Sequence, residues 1–89
     1  MKILQKTSFR KTVRKLHENQ KRDLDAAIDK VMENPEVGQA KKGDLAGIRV
    51  FKFSMVNQLT LITYTYDKPA TLTLWALGTH ENFYRDLKN

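Results

Sequence analysis

The second half of the chain alternates apolar or β-branched residues with polar ones, which is the period of β-strands. Three runs carry this pattern, at residues 48–54, 59–66 and 71–77. Asn57 lies in the first link between them, and residues 67–69 form the second, so both links are short enough for hairpins. The pattern therefore predicts an antiparallel meander of three strands.

Strict alternation divides the side chains of each strand between the two faces of the sheet. In the third run it predicts two sets on opposite faces, Leu72, Leu74 and Ala76 on one and Thr71, Thr73, Trp75 and Leu77 on the other. The middle run is apolar or β-branched at both parities, as expected for a central strand. We expect helices to cover one face and the other face to be open or lightly covered.

The first half of the chain shows the period of helices after a short strand candidate at residues 1–5. Phe9, Val13 and Leu16 recur at i, i+4 and i+7, which predicts a helix that ends near residue 17. Either Thr7 or Ser8 could cap its first turn.

A second helix is predicted to begin at an Asn19 cap and to end at Asn34, because the following Pro35 disfavours the helical conformation there. Its apolar stripe is wider than that of the first helix and consists of Leu24, Ala27, Ile28, Val31 and Met32. The two helices together form a helical hairpin with an apolar face that must be covered.

These elements predict an α+β fold in which the short N-terminal strand and the helical hairpin precede an antiparallel sheet on which the hairpin packs. Residues 36–47 form a connection without a visible period. A short C-terminal helix is expected from His80 to about residue 87, with Thr79 as a possible cap. At 89 residues the chain fits one domain, spanning residues 1–89.

Composition excludes several classes of site. The chain has no cysteine, which rules out disulfides, thiolate metal sites and a cysteine nucleophile, and which suits a reducing cytoplasm. Its two histidines are far apart in sequence, so we expect neither a zinc site nor another cofactor. No apolar run approaches the ~18 residues of a membrane span, so no membrane partner is expected.

The net charge of +6 is unevenly distributed along the chain. Residues 1–22 carry eight Lys or Arg against one Glu, residues 23–40 one Lys against five acids, and residues 41–52 four basic residues against one Asp. A basic protein polarised in this way is a candidate for binding RNA, DNA or an acidic protein. The alternative is that the basic residues form a solvated helix face.

Two motifs frame the predicted meander, Gly-Ile-Arg-Val at residues 47–50 and Leu-Gly-Thr-His-Glu-Asn-Phe-Tyr at residues 77–84. Together with the order of the elements, they resemble the RelE/ParE superfamily of bacterial toxins over essentially the whole chain. The second motif is similar to the Gly-Thr-His ending of the YafQ branch. The resemblance implies a RelE-like microbial RNase-type fold and a toxin of a type II toxin–antitoxin pair, neutralised by a cognate antitoxin. Most RelE-like members cut mRNA in the ribosomal A site, whereas ParE-like members inhibit DNA gyrase.

Metal-independent RNA cleavage through the 2′-hydroxyl needs a base, a cation near the phosphate and a proton for the leaving oxygen. The resemblance assigns His80 as the general acid or base, since histidine titrates near neutrality; the alternative is a helix cap. Tyr84 lies one helical turn further on and would orient a base, or it packs the helix onto the sheet. Arg85 would contact phosphate, or pair with Glu81.

The resemblance also favours Lys52 as the phosphate contact. Strand parity places Arg49 on the face opposite Lys52 unless the strand bulges, so Arg49 either assists at the mouth of the site or is structural. Lys41 and Lys42 are plausible contacts to the nucleic-acid backbone.

One departure from the family pattern keeps other functions open. RelE-like nucleases usually carry an arginine early in the second meander strand, where this chain reads Asn-Gln-Leu-Thr at residues 57–60, and the acidic residues of the YafQ site are also missing. The expected function is a ribosome-dependent mRNA endoribonuclease. Gyrase inhibition, or non-catalytic binding of nucleic acid by a basic module, is the alternative.

Overall fold

A computed structural model of the chain describes residues 1–67 and 70–79. Its elements in chain order are β1 (Lys2–Gln5), α1 (Thr7–Arg14), α2 (Glu18–Glu33), β2 (Gln39–Ala40), a 3₁₀ turn (Gly43–Leu45), β3 (Arg49–Met55), β4 (Gln58–Asp67) and β5 (Thr71–Thr79). The predicted α+β fold, with a helical hairpin and a meander of three strands, is confirmed. The C-terminal helix predicted after Thr79 lies outside the described residues.

The five strands form one sheet in the order β1-β5-β4-β3-β2. The meander is antiparallel, as predicted, but β1, whose pairing direction was not predicted, pairs with β5 in parallel, so the sheet as a whole is mixed rather than antiparallel. Backbone hydrogen bonds at both ends of β1 fix this pairing, from Lys2 N–H to Ala70 O at 2.8 Å and from Lys6 N–H to Leu74 O at 2.9 Å. Periodicity detects strands but not the direction in which distant strands pair.

The connection at residues 36–47 contains two short elements that the sequence pattern did not predict. Its β2 pairs with only two residues of β3, Gln39 with Val50 and Ala40 with Arg49. Beyond Val50, the outer edge of β3 has no strand partner among the described residues. Two residues are too few for a strand period to be visible in sequence.

Neither helix begins at its predicted cap. The N-cap of α1 is Lys6, and the Ser8 hydroxyl instead donates to the Trp75 carbonyl oxygen at 2.8 Å. The N-cap of α2 is His17, whose backbone N–H donates to Gln20 Oε1 at 2.8 Å, while Asn19 lies inside the first turn. Tertiary contact to β5 therefore overrides the local capping preference at Ser8.

Both helices pack on one face of the sheet, which we call the covered face. The core between them contains Phe9, Leu24, Ala27, Val31, Met55, Ile62, Tyr64, Leu72, Leu74 and Leu77. No helix of residues 1–67 and 70–79 packs on the opposite face, which we call the helix-free face in that sense, and which has a smaller apolar cluster of Val50, Leu61 and Ala76. Because β4 is central, it contributes buried residues to both faces.

A β-bulge in β5 changes which residues lie on each face. Thr63 pairs with Ala76, but Tyr64 pairs with Leu74, so Trp75 is the extra residue without a partner on β4. Beyond the bulge the parity is reversed, and Leu77 joins the core of the covered face while Ala76 joins the cluster on the other face. The strict alternation predicted for this strand is therefore wrong for Ala76 and Leu77.

Candidate nucleic-acid interface

Lys52 lies in the middle of β3 with its side chain exposed on the helix-free face. Its neighbours Phe51 and Phe53 point to the covered face, where their rings stack at a centroid distance of 6.3 Å. Across the sheet, Lys52 pairs with Leu61, and Leu61 pairs with Gly78. The amino group of Lys52 is thus displayed in the same cross-strand row as the end of β5.

The end of β5 is placed by pairing up to Thr79, which lies opposite Thr60. At ~4.8 Å between neighbouring strands, two strand spacings put Gly78 about 10 Å from Lys52. His80, Tyr84 and Arg85 follow this point in the chain and lie outside the described residues, so their proposed roles stay predictions.

Arg49 lies on the covered-face side of β3, and β3 has no bulge that would bring it to the side of Lys52. Its Nη1 donates to the carbonyl oxygens of Glu36 and Gly38, at 3.1 and 2.8 Å. These bonds tie the connection after α2 to the sheet. They correspond to the structural alternative for Arg49, and they separate it from Lys52.

The same connection is held by a buried tyrosine. Tyr64 has no solvent-exposed surface, and its hydroxyl donates to Pro35 O at 2.7 Å and accepts the Gly38 N–H at 2.8 Å. Burial raises the pKa of Tyr64 above its ordinary value, opposed by the Gly38 hydrogen bond and the Arg49 charge. A Cβ at Gly38 would lie 2.6 Å from this oxygen, so the approach requires glycine. Tyr64 and Arg49 together fix the loop that leads to Lys41 and Lys42.

Lys41 and Lys42 follow β2 at the outer edge of the sheet. The Lys41 backbone N–H donates to Ile48 O at 2.9 Å, which holds this pair beside the start of β3. Lys42 is exposed, and Lys41 is half-buried. The two lysines therefore lie on the same edge of the sheet as Lys52, with β2 between them and the middle of β3.

A groove of about 320 Å³ runs between α2 and β3 beside Lys52. It is lined by Asp23, Ala26, Ala27, Lys30, Phe51, Lys52, Phe53 and Ser54. Its floor is apolar, and lysines lie on both of its sides. Lys52 thus borders two surfaces, the helix-free face and the groove at the edge of the sheet.

Sequence reasoning missed the bulge next to Trp75 and did not single this residue out. The indole lies on the same side as Thr73, as alternation predicts, and 40% of its surface is exposed. The signal was present in the spacing of the large apolar residues Leu72, Leu74 and Leu77. The first two differ by two positions and the last two by three, which indicates an extra residue between them.

Neither a metal cluster nor a membrane helix is found in the part of the chain that the structure describes. No group of three or more His, Asp or Glu side chains in residues 1–67 and 70–79 could hold a metal ion. The two helices in these ranges are too short and too polar to cross a membrane.

Comparison with known proteins gives a family match over almost the whole chain. A family model described as a ParE-like toxin of type II bacterial toxin–antitoxin systems matches residues 3–88. No curated protein sequence matches the chain.

Two solved structures share the fold. The first comes from the intact RelBE toxin–antitoxin complex of E. coli, with a TM-score of 0.70, 15% identity and coverage of 88% of this chain and 94% of that chain. The second is the isolated E. coli RelE toxin, with a TM-score of 0.68, 15% identity and coverage of 98% and 95%. At this identity the likeness shows the architecture alone.

Proposed function

The chain belongs to the ParE-like toxins of type II bacterial toxin–antitoxin systems, and from that premise we propose that it is a ribosome-dependent mRNA endoribonuclease. The observation that supports this activity is the row from Lys52 through Leu61 to Gly78. It displays a cation on the helix-free face, beside the point where β5 leads into the Thr-His motif. The fold shared with the RelE toxin agrees with this reading.

The proposed reaction is a metal-independent transesterification. The 2′-oxygen of the RNA attacks the adjacent phosphorus, the bond to the 5′-oxygen breaks, and a cyclic phosphate and a free 5′-hydroxyl result. His80 moves a proton, either from the 2′-hydroxyl or to the 5′-oxygen. Lys52 stabilises the charge that develops on the phosphate, since a cation held on a strand needs little reorganisation. Tyr84 orients a base.

The remaining cations would bind the RNA backbone outside the reacting phosphate. Lys41 and Lys42 extend the positive edge of the sheet beyond β2, and Arg85 follows the Thr-His motif. Such contacts add affinity that falls with salt concentration and carry no sequence information. Arg49 is left out of this set because its guanidinium holds the 36–38 loop.

Primer extension on an mRNA translated in a cell-free extract tests the proposal. The chain should produce cuts at positions set by the reading frame, and His80→Ala should reduce them by on the order of 100-fold. Lys52→Met should reduce cutting by a similar factor, whereas Lys21→Met, at an exposed lysine of α2, should leave it unchanged. Cuts that persist in His80→Ala, or that do not depend on translation, would refute the mechanism.

Gyrase inhibition is the second candidate, favoured by the match to the ParE-like family model and by the missing arginine at residues 57–60. Here the chain acts by binding alone, and mRNA stays intact. Purified gyrase would lose its supercoiling activity when the chain is added, with His80→Ala as active as the parent chain. The nuclease proposal predicts uninhibited supercoiling.

The partner expected in either case is a cognate antitoxin, as the type II family implies. One of the structural matches was determined as such a toxin–antitoxin complex. Expression of the chain alone should arrest growth, and co-expression with the cognate antitoxin should restore growth.

A further inference from the structure

The indole of Trp75 is exposed but held in one orientation. Its Nε1–H donates to Thr65 Oγ1 at 2.9 Å, which places the ring on the helix-free face. Its backbone carbonyl oxygen accepts from Ser8 Oγ at 2.8 Å, so the bulge is anchored to the first turn of α1. The Lys6 ammonium lies over the ring, 4.4 Å from its centroid. Two contacts therefore hold the exposed ring itself, and a third holds its backbone.

The Trp75 ring packs neither in the core of the covered face nor in the apolar cluster of the helix-free face. The residues of the covered-face core and those of the helix-free cluster exclude Trp75. Without the bulge, Leu77 would fall on the helix-free face together with Trp75. The bulge moves Leu77 to the covered face and leaves Trp75, the only tryptophan of the chain, on the helix-free face without a partner on β4. Bulges are common next to functional sites.

The ring lies beside one cross-strand row of the sheet and under one lysine. The cross-strand row next to it contains Thr65, Thr73 and Leu4, of which Leu4 is 43% exposed. Lys6, the residue before α1, supplies the positive charge at the ring. A ring with a lysine over it complements a base and its phosphate.

We propose that Trp75 and Lys6 form a stacking subsite for a base of single-stranded RNA, with Lys6 contacting the phosphate of the stacked nucleotide. Trp75 and Gly78 are three residues apart on β5, or about 10 Å at ~3.3 Å per residue. One RNA segment can therefore span both this subsite and the row of Lys52. The proposal rests on the proposed function only in taking RNA as the ligand, and binding here does not require cleavage.

The single tryptophan makes the subsite directly observable. The chain is titrated with a short 2′-O-methyl oligoribonucleotide, which cannot be cleaved because it lacks the attacking hydroxyl, and tryptophan fluorescence is followed. Stacking predicts saturable quenching. Tripolyphosphate at the same phosphate concentration supplies the charge without a base and should not quench. Quenching by both compounds, or by neither, would overturn the proposal.

Two variants separate the ring from the charge, with binding measured by the anisotropy of a labelled oligonucleotide. Trp75→Leu should weaken binding by on the order of 10-fold, while Trp75→Phe, which keeps a ring, should retain most of the affinity. Lys6→Met should weaken binding several-fold and lower the salt dependence, relative to Lys21→Met, which removes one charge from exposed α2 surface. Equal affinity of Trp75→Leu and the parent chain would refute the subsite.

The two proposals can fail separately. If RNA binds and quenches Trp75 while translated mRNA is not cut, the stacking subsite stands and the nuclease does not. If mRNA is cut at the same rate by Trp75→Leu, with no quenching in the parent chain, the nuclease stands and the subsite is refuted.

Discussion

The two faces of the sheet are built from the same strands but differ in how far their side chains are buried. On the covered face, Ile62, Tyr64 and Leu72 have no exposed surface and pack against α1 and α2. On the helix-free face, Lys52, Ser54 and the ring of Trp75 are exposed. Of two consecutive residues, Phe51 therefore packs against the core and Lys52 lies in the candidate site. The comparison shows that the fold and the candidate site are separated by strand parity, so each can be perturbed without the other.

The separation also tells us how residue type relates to role. Arg49 and Lys52 are both basic residues of β3, three positions apart, yet one is tied to carbonyl oxygens of a loop and the other is exposed. Charge alone would assign both to a phosphate. The face on which each lies distinguishes them.

The largest expected effect comes from the covered face. Ile62→Ala should lower the free energy of unfolding by about 2–5 kcal/mol, because it leaves a cavity in the main core. Leu59→Ala, at an exposed leucine of the same strand, should change it by less than about 0.5 kcal/mol. Urea unfolding measures both. Similar losses for the two variants would contradict the division between the faces.

Tyr64→Phe tests the polar part of the covered face. It removes the acceptor of the buried Gly38 N–H, so the free energy of unfolding should fall by about 1–3 kcal/mol.

The difference in unfolding free energy between the parent chain and Tyr64→Phe should shrink at high pH. Above about pH 10 the unfolded chain loses the Tyr64 proton while the folded chain keeps it, because the folded pKa is raised. The stabilisation that Tyr64 provides is therefore complete below pH 10 and is lost as the pH rises through the folded pKa. Urea midpoints of the parent chain and Tyr64→Phe should converge above pH 10. A difference that grows with pH would contradict the assignment.

Substitutions of the two basic residues of β3 distinguish a role in stability from a role in RNA cleavage. Arg49→Met should cost about 1–2 kcal/mol of unfolding free energy, because two carbonyl oxygens lose a charged donor. Lys52→Met should change stability by less than about 0.5 kcal/mol and should instead reduce RNA cleavage. Thermal denaturation and primer extension on the same two proteins give both readouts. Loss of stability in Lys52→Met would place it in the fold rather than the site.

The smallest effect on stability is expected at the hairpin turn between β3 and β4, residues 56–57. Val56 and Asn57 have φ of 49° and 65°, a two-residue hairpin turn in which a β-branched residue is strained. The Val56 N–H donates to Asp23 Oδ2 at 2.8 Å, which holds the turn against α2. Val56→Asn should raise the free energy of unfolding by about 1 kcal/mol. Val37→Asn, at an exposed valine without positive φ, should bring no gain.

Much of the fold was accessible from residue spacing. The helical stripes and the three alternating runs predicted two helices and a meander, because burial on one face leaves a period of 3.6 or 2 in the sequence. The caps were missed at Ser8 and Asn19. In both cases the N-cap lies two residues earlier, at Lys6 and His17, and the Ser8 hydroxyl donates to β5 instead.

The candidate site was predictable in part. Parity alone placed Lys52 and Arg49 on opposite faces, and the structure has them so. What parity could not provide is the partner of each side chain, since Glu36 and Gly38 reach Arg49 through a loop without a period. The assignments of His80, Tyr84 and Arg85 stay predictions that the cleavage experiments test.

The sequence by itself determined the elements, the polarity of their faces and the polarised charge, because these follow from local spacing and composition. The tertiary structure alone decided the parallel pairing of β1 with β5, the two-residue strand β2 and the bulge at Trp75. Each of these depends on backbone hydrogen bonds between segments far apart in the chain. The bulge matters most, because one unpaired residue exchanges Ala76 and Leu77 between the faces.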